Sequence, residues 1–552
     1  MGMGNVVQKA RLSLGLVLVL AGCGAEPGAG PQQPAGNSQP PNILLIVLDD
    51  LGYTDLGAFG GEIATPHLDG LARAGVRFTN FHAAPSCAPT RAMLMTGTDH
   101  HLAGMGSQAG LETPRQKESR AYRSKLLPDV PTVAEHLRDL GYRNLASAKW
   151  HLGDDADALP NARGFHRSFV LLQGGASHFD ATPLFPRYGQ AEWREDDEFF
   201  AVPEGFYSTD FMTDKLLEYI GETPLNQPYF AYLGYTAPHW PLHAPEEAIA
   251  EYRGRYDAGF DVLRAERMAG ARREGVVAAH AQAVHHEAGM LVWDELNEAE
   301  RRAQTARMEV YAAMVDRVDD NVGRVLTALR ERGDLDTTLI VFMADNGAEA
   351  HVIEARDVVV EWIRTRPFDN APASIGTAES YVTLGPSWAR AGAAPFRASK
   401  SKISEGGIRV PAFVSLPRPL RAASGRIDDS YMRVMDLAPT FIDLAGGAVP
   451  GSMMGRSLLP RWGGGVPAYA DDEVIAGETY GRRMAQRGHW KVLLQEAPYG
   501  TGEWQLYDLA ADPGEQQDLS EERPALRAEL IDAWSAYADE VGVILPETPV
   551  RY

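Results

Sequence analysis

The sequence has almost no cysteine: Cys23 and Cys87 are the only two in a chain of 552 residues. Two cysteines exclude a scaffold stapled by disulfides, and a chain of this length can bury a large hydrophobic core instead. The length allows two or three domains, or one large α/β domain with a smaller appendage. The apolar and charged fractions, 45% and 23%, are those of an ordinary globular protein.

A surplus of positive charge is also missing, since 52 Lys and Arg residues stand against 74 Asp and Glu residues. The net charge of −22 argues against nucleic acid as a partner, because phosphate binding requires a basic surface. An anionic substrate must therefore be attracted by a local positive site rather than by the field of the whole protein.

No segment is apolar for long enough to span a membrane; the run at residues 12–20, which follows Lys9 and Arg11, is too short. It ends in Leu-Ala-Gly-Cys, which resembles the lipobox of bacterial lipoproteins. We therefore expect a signal peptide in residues 1–22, a membrane-anchoring lipid on Cys23 and a flexible tether in residues 23–40. This predicts an exported lipoprotein, periplasmic or on the cell surface, with no disulfide partner for Cys87. A plain signal peptide cleaved nearby is the alternative.

Two continuous apolar runs predict strands that are buried on both faces of a parallel sheet. The runs and the polar residues that follow them are 43–48 with Asp49 and Asp50, and 338–344 with Asp345 and Asn346. Ligands of such sheets bind at the carboxyl ends of the strands, so these side chains are expected at one site. Their oxygens favour calcium or magnesium over zinc, although each pair alone is also compatible with a solvated turn.

Residues 85–97 place Arg91 one helical turn after Cys87. This spacing predicts the start of a helix with the arginine folded back over the sulfur. The free amide groups of a helix N-terminus suit a nucleophile that handles an anion. A half-buried structural cysteine is the alternative.

Basic side chains come from two further segments. Lys149 and His151 are two residues apart in an extended segment, which puts them on the same side. His239 follows an aromatic strand expected at residues 229–235 and lies in a proline-bounded loop on the ligand side of the sheet. A lone loop histidine is otherwise more often a surface residue.

The remaining pattern predicts the outline of the fold. Residues 308–330 show the clearest helical periodicity and predict a crossover helix. The other expectations are a helical insertion at 254–306, a long loop over the site at 350–394, a short helix at 436–446, alternating strands at 478–494 and 504–509, and a closing helix at 523–541. The pairs His100-His101 and His285-His286 are predicted to be structural or surface residues.

Several segments together resemble the type I sulfatases, in which a cysteine is oxidised to formylglycine, and most closely the bacterial arylsulfatases. The matching positions are Cys87, Pro89, Arg91, Leu94, Thr96 and Gly97, residues 141–153, the Ala-Pro-His-x-Pro pattern at 237–241, and Glu-Gly-Gly at 405–407. The family's lysine lies five residues before that glutamate, which selects Lys400 and leaves Lys402 as a solvated lysine. Ala148 stands where the family has glycine, and its methyl group could crowd the site.

The resemblance implies an α/β fold like that of alkaline phosphatase, with a large mixed, mostly parallel sheet flanked by helices in residues 41–448. A smaller C-terminal subdomain with an antiparallel sheet and a helix is expected in residues 449–552. The implied activity is that of an arylsulfatase acting on small-molecule sulfate esters. A formylglycine-generating maturation enzyme would convert Cys87, and one calcium ion would be bound.

The resemblance also assigns residues. The implied calcium ligands are Asp49, Asp50, Cys87, Asp345 and Asn346. The implied catalytic residues are Cys87, Arg91, Lys149, His151, His239 and Lys400. Lys149 would hold the sulfate, Arg91 would orient the formylglycine hydrate, and Asp345 could take its proton. His239 and Lys400 would act at the leaving-group oxygen and His151 at the release of sulfate, with a phenol ring near the aromatic strand.

Two other functions fit the same residues. A phosphodiesterase or phosphonate monoester hydrolase of the same superfamily could use the same aldehyde and metal, and rates on aryl sulfates and aryl phosphates would separate it from a sulfatase. A surface lipoprotein that only binds sulfated glycans would keep Cys87 as a thiol and show no turnover.

Overall fold

The computed structural model describes Met1 and residues 39–284, 287, 289–547 and 550. The chain divides into two units, Met1–Ser38 and Gln39–Tyr552, and every element named below belongs to the second. The expected signal peptide, Cys23 and most of the tether lie outside the described residues, as do His285 and His286. No helix in the described ranges is both long and apolar enough to cross a membrane.

Sixteen strands form three sheets in the described part of the chain. In chain order they are β1 Asn42–Leu48, β2 Val76–Phe78, β3 Phe81–His82, β4 Arg143–Lys149, β5 Arg167–Leu171, β6 Trp193–Glu195, β7 Glu198–Phe199, β8 Tyr229–Gly234, β9 Thr338–Ala344, β10 Ala412–Ser415, β11 Arg426–Asp428, β12 Met432–Arg433, β13 Val474–Thr479, β14 Arg482–Arg487, β15 Trp490–Leu494 and β16 Gln505–Asp508. Ten strands make one large sheet in the order β11-β2-β10-β9-β1-β8-β4-β5-β6-β7, β12 pairs with β3, and β13 to β16 form a separate antiparallel sheet.

The centre of the large sheet is parallel from β9 through β1, β8 and β4 to β5. Strands β1 and β9 are buried along their whole length, which confirms the strands predicted from the two apolar runs. They pair in register, with Leu48 beside Ala344, so the polar residues that follow them emerge next to each other. Antiparallel pairing of β10, β6 and β7 with their neighbours makes the sheet mixed, as expected.

Helices accompany the large sheet, and the described α-helices are α1 Pro66–Ala74, α2 Cys87–Thr96, α3 Pro114–Lys117, α4 Val133–Asp139, α5 Ser208–Gly221, α6 Glu246–Ala250, α7 Phe260–Glu274, α8 Glu298–Arg332, α9 Asp357–Thr365, α10 Pro386–Gly392, α11 Glu405–Ile408, α12 Leu437–Leu444, α13 Leu459–Trp462 and α14 Pro524–Val541. Helix α8 contacts α1 and α5, while α12 contacts α2 and α4, so two groups of helices cover the strands.

Helix α8 is longer than the sequence pattern predicted. It begins at Glu298 because the side chain of Asn297 accepts the amide hydrogens of Ala299 and Glu300, which caps the first turn. The residues of the first turns are mostly charged and lack the apolar stripe that marks the later part. The segment at 350–394, expected to be a loop, contains α9 and α10.

The C-terminal sheet and α14 confirm the predicted antiparallel subdomain. One face of the sheet packs on α14, where Trp534 donates its indole N–H to the carbonyl of Gly477 at 3.1 Å. The other face packs on Ile403 and Ile408, which flank the Glu-Gly-Gly segment. This sheet therefore supports the segment that carries Lys400.

His100 and His101 are structural, which is one of the two alternatives that the sequence left open. Both rings are buried, and their centroids lie 4.1 Å apart with a tilt of 34° between the ring planes. His101 Nδ1 lies 2.9 Å from Asp99 and its Nε2 lies 2.9 Å from Glu478, while Tyr537 donates to Asp99 at 2.8 Å. The cluster ties the end of α2 to β13 and α14. Glu478 is distant in sequence, so spacing around the histidines could not reveal it.

Replacing His101 should destabilise the protein in a pH-dependent way. Burial lowers its pKa, but hydrogen bonds with Asp99 and Glu478 outweigh burial and raise the pKa to about 9, whereas that of His100 falls to about 4 through burial and the charge on His101. The stabilisation is full below the unfolded pKa near 6.5 and is lost as pH rises through about 9. The shift corresponds to roughly 3 kcal/mol. The thermal midpoint of His101→Gln should lie below that of the parent at pH 6, and the gap should narrow by pH 10; a constant gap would contradict this assignment.

Candidate active site

The polar residues after β1 and β9 meet at the carboxyl edge of the parallel strands. The backbone N–H of Asp345 donates to the carbonyl of Leu48 at 3.0 Å, and the N–H of Asp50 donates to the Asp345 carboxylate at 3.3 Å. Asp50 has a φ of 69°, a left-handed conformation that residues other than glycine rarely adopt. The three carboxylates, including Asp49, are buried, so the sheet edge concentrates negative charge in a small volume.

Helix α2 begins at Cys87, as the spacing predicted. Ser86 precedes it in an extended conformation, and Gly97 ends it in the left-handed conformation, at a φ of 65°. The Cys87 thiol is buried, and its Sγ lies 3.3 Å from Asp49 Oδ1. Burial, together with the charge on Asp49, raises the pKa of the thiol well above its ordinary value. The helix therefore places residue 87 directly against the aspartate cluster.

Arg91 directs its guanidinium to Asp345. Its Nε and Nη2 both donate to Asp345 Oδ2, at 3.1 and 2.8 Å. Its Nη1 donates to the carbonyl of Lys149 at 2.7 Å and to the hydroxyl of Tyr232 at 2.9 Å. Arg91 thus holds the ends of β4 and β9 in place, and its Nη2 also lies 3.8 Å from Asp49, the carboxylate that contacts Cys87.

Two buried lysines flank the aspartate pair. Lys149, the last residue of β4, places Nζ 2.5 Å from Asp49, and Lys400 places Nζ 2.7 Å from Asp50. Lys402 is also buried, so its prediction as a solvated lysine is wrong; its ammonium group donates to Ser401 and lies 4.2 Å from the centroid of the Tyr499 ring. The C-terminal subdomain covers Lys402, and the sequence around Lys402 does not indicate this contact with a distant segment.

His151 and His239 both line a cavity that also contains Cys87. His151 follows the end of β4 with a φ of 56°, so a turn rather than strand alternation brings it to the side of Lys149. Its Nδ1 is buried without a hydrogen-bond partner among the described residues. His239 donates Nδ1–H to the carbonyl of Trp240 at 2.6 Å, and its Nε2 lies 3.7 Å from Asp50. Burial and nearby cations hold the pKa of both rings well below the ordinary value.

The oxygens at this point suit a hard cation, and a thiol and an imidazole lie beside them. Ligand atoms of Asp49, Asp50, Cys87 and His239 all lie within 4.8 Å of one another. The Oδ1 of Asn346 is buried and accepts no hydrogen bond from the described residues, which leaves one oxygen ready for an ion. Burial and the neighbouring carboxylates raise the pKa of Asp50 to about 8 despite Lys400, whereas Lys149 and other nearby cations outweigh burial and lower the pKa of Asp49. Carboxylate and amide oxygens are ligands of calcium and magnesium.

Ala148 fits the site without crowding it. In the register of β4 and β8 it lies beside Gly234. A Cβ atom on Gly234 would be 2.9 Å from the Ala148 methyl group, so the missing side chain of Gly234 makes room for this methyl group. The neighbouring strand therefore leaves room for an alanine at position 148, where the family has glycine.

The cavity above Cys87 has a volume of about 330 Å³. Its wall includes Leu184, Phe185, Trp240 and Ile353, and Trp240 stacks on His239 with ring centroids 5.2 Å apart. The aromatic strand at 229–235, expected beside a substrate ring, is buried in the sheet and does not line this cavity, so that expectation is wrong. The aromatic wall comes from loops, whose packing has no periodic signal.

His178 is a further residue that sequence reasoning missed. Its Nε2 lies 2.9 Å from the carbonyl oxygen of His239, and its Nδ1 lies 2.8 Å from the hydroxyl of Ser208. Donation from Nε2 fixes the backbone of the His239 loop, with Ser208 as the donor to Nδ1. Both partners are buried, so His178 positions His239 and does not reach the cavity.

Comparison with known proteins covers nearly all of the described chain. Residues 41–448 match the sulfatase family, and residues 399–532 match the C-terminal region of N-sulphoglucosamine sulphohydrolase. An uncharacterized sulfatase of Schizosaccharomyces pombe is 39% identical over 532 residues, covering 92% of this chain and 95% of its own. An arylsulfatase of Klebsiella aerogenes is 36% identical over 437 residues, which cover 78% of this chain and 92% of the arylsulfatase. The crystal structure of Ps i-CgsB in complex with k-i-k-neocarrahexaose has a TM-score of 0.66 at 25% identity. The match covers 91% of this chain and 93% of that structure's chain.

Proposed function

The chain belongs to the sulfatase family and is a sulfuric ester hydrolase, and from this premise we propose that it is an arylsulfatase. It would hydrolyse sulfate monoesters to a phenol or alcohol and inorganic sulfate, with Cys87 matured to formylglycine and calcium as the metal. The supporting observation is the aromatic wall beside the reacting centre, where Trp240 stacks on His239 in the cavity that contains Cys87.

Asp49, Asp50, Asp345 and Asn346 would hold the calcium ion with residue 87. The ion supplies positive charge to the sulfate oxygens when it is bound. The four residues contribute only oxygens, and the unpartnered Oδ1 of Asn346 needs no rearrangement to become a ligand. This supports a hard cation over zinc.

Lys149 would bind the sulfate oxygens, and Lys400 would act at the leaving-group oxygen. Their ammonium groups are buried and held by Asp49 and Asp50, so they are in place before the ester arrives. Preorganised charges of this kind stabilise a transition state without a reorganisation cost. They also supply the local positive site that a protein with a net charge of −22 requires for an anionic substrate.

Formylglycine at position 87 would supply a hydrate with one hydroxyl to attack sulfur and a second whose deprotonation expels sulfate. Neither serine nor cysteine has that second hydroxyl, which is the chemical reason for maturing Cys87. A formylglycine-generating enzyme of the host is therefore a required partner.

The two histidines would move protons at opposite ends of the reaction, and His239 would donate from Nε2 in its doubly protonated form, which a bound anionic ester favours. The Nδ1–H of His239 is held by the carbonyl of Trp240, so Nε2 is the nitrogen that can face a leaving-group oxygen. Lys400 lies at the same end, on Asp50. The unpartnered Nδ1 of His151 can accept a proton from a hydroxyl at residue 87 and so promote release.

The enzyme should hydrolyse 4-nitrophenyl sulfate with a kcat/KM at least about 100-fold above that for a hexose 6-sulfate. A sugar hydroxyl placed against Leu184, Trp240 or Ile353 would lose water without gaining a partner, at roughly 1–3 kcal/mol each. A phenolate also leaves more readily than an alkoxide. Release of inorganic sulfate from both esters gives the ratio.

4-Nitrophenyl phosphate is the control substrate for the rival chemistry. A higher kcat/KM on this phosphate than on the sulfate would favour a phosphoester hydrolase. A higher kcat/KM on the sugar sulfate would overturn the preference for aryl esters while leaving the sulfatase activity intact.

A further inference from the structure

Arg356 is a charged residue of the cavity wall that the proposed reaction does not use. It is half-buried and lies in the same cavity as Cys87 and His239. Its side chain makes no hydrogen bond or ion pair with any other described residue. A guanidinium has five N–H donors, and one that is partly withdrawn from water without a carboxylate is unusual in a folded protein.

The backbone around Arg356 is firmly held. Ile353 is buried in a cluster of apolar side chains that includes Trp240 and Trp362. The neighbouring carboxylate of Glu354 pairs with Arg307 at 2.6 Å and accepts the hydroxyl hydrogen of Thr383 at 2.8 Å. Glu354 is therefore fully engaged elsewhere, and the segment presents Arg356 to the cavity from a fixed position.

No carboxylate of the cavity wall neutralises Arg356. Glu349 is bound by His351 at 2.5 Å and by Lys400 at 3.4 Å, and Asp154 is exposed to solvent. Burial and the charge on Arg482 lower the pKa of Lys402 to about 7, and Arg356 adds a smaller contribution in the same direction. The carboxylates of the wall therefore leave the charge of Arg356 available to an anionic ligand in the cavity.

The reacting centre and Arg356 belong to one cavity. Cys87 and His239 mark the end where the sulfate would be cleaved, and Trp240 stacks on His239. Trp240 belongs to the same apolar cluster as Ile353, three residues before Arg356. A leaving group that packs on Trp240 would therefore occupy a cavity whose wall also carries Arg356.

We propose that Arg356 is a second anion subsite that binds a carboxylate, or a second sulfate, on the leaving group. The preferred substrate class is then an aryl sulfate that carries another anionic group distant from the ester. A guanidinium can bind a planar oxyanion through two hydrogen bonds, which gives geometric selection as well as charge. This inference rests on the proposed arylsulfatase function and narrows its substrate.

The test uses phenyl sulfates in matched pairs, one member with a carboxylate and the other with the neutral carboxamide of the same shape. One pair carries the group directly on the ring and a second pair carries it on a two-carbon spacer. The parent enzyme should favour the carboxylate in at least one pair by about tenfold or more in kcat/KM, mainly through KM. In Arg356→Gln this preference should fall by about tenfold or more, to a carboxylate-to-carboxamide ratio near one, and Arg356→Lys should restore part of it.

Arg364→Gln is the matched control, because Arg364 is an exposed arginine of α9 that does not line the cavity. It should keep the carboxylate preference of the parent, and all three variants should share the parent's thermal midpoint. A carboxylate-to-carboxamide ratio near one in the parent, or an unchanged ratio in Arg356→Gln, would overturn the second subsite but not the sulfatase. Failure of the parent to hydrolyse any of the four esters would instead overturn the aryl activity, and the subsite with it.

Discussion

Cys87→Ala should be inactive, with kcat lowered by about 10⁴-fold or more, because the side chain that reacts with sulfur is removed. Cys87→Ser should react at most once per molecule and retain sulfate on the serine. Serine can attack sulfur, but it lacks the second hydroxyl whose deprotonation would expel sulfate. A burst of phenol equal to the enzyme concentration, followed by no further turnover, is the expected time course.

Two controls separate this chemistry from misfolding. Both variants should keep the parent's thermal midpoint, because among the described residues the Cys87 Sγ has one polar contact, with Asp49. Mass spectrometry must show that the serine was not itself matured. Steady turnover by an unmodified Cys87→Ser enzyme at rates near the parent would show that ordinary hydrolysis suffices.

Removal of the metal should have the second-largest effect. Chelation should lower kcat/KM by about 100-fold or more, because the sulfate loses its divalent counter-charge, and calcium should restore activity. Calcium at 100 times its dissociation constant should also raise stability by about 2.7 kcal/mol, which a thermal scan detects without substrate. Restoration by zinc but never by calcium would contradict the oxygen ligand set.

Two ligand variants sharpen the metal prediction. Asp345→Ala should lose both activity and the calcium-dependent rise in thermal midpoint, but it also frees Arg91. Asn346→Ala removes one neutral oxygen and leaves that ion pair intact, so it should raise the calcium concentration for half-maximal activity by roughly tenfold. Asp336→Ala, at an exposed carboxylate paired with surface arginines, is the matched control and should change neither measurement. An unchanged calcium requirement in Asn346→Ala would remove Asn346 from the ligand set.

The strands that build the site were predictable because their signal is local. Continuous apolar runs ending in Asp49-Asp50 and Asp345-Asn346 identify buried parallel strands, and parallel strands must deliver those residues to one edge. The start of α2 at Cys87 is equally local, since the one-turn spacing of Cys87 and Arg91 indicates it.

The parts that sequence reasoning missed depend on contacts between distant segments. Lys402 was predicted to be solvated but is buried by the C-terminal subdomain. His101 forms a hydrogen bond with Glu478, which is 377 residues away in the sequence. Trp240 and Arg356 line the cavity through loops whose course no periodicity encodes. The reactive residues at the strand ends could therefore be predicted from the sequence, whereas the loop residues that shape the substrate cavity could not.

The most direct test is the mass of the peptide that contains Cys87, taken from enzyme whose specific activity has been measured. The proposed mechanism predicts an aldehyde or its hydrate at residue 87, which reacts with a hydrazide probe, in proportion to activity. Thiol alkylation should then leave the activity unchanged. A fully active enzyme whose peptide carries only an unmodified thiol would contradict the mechanism.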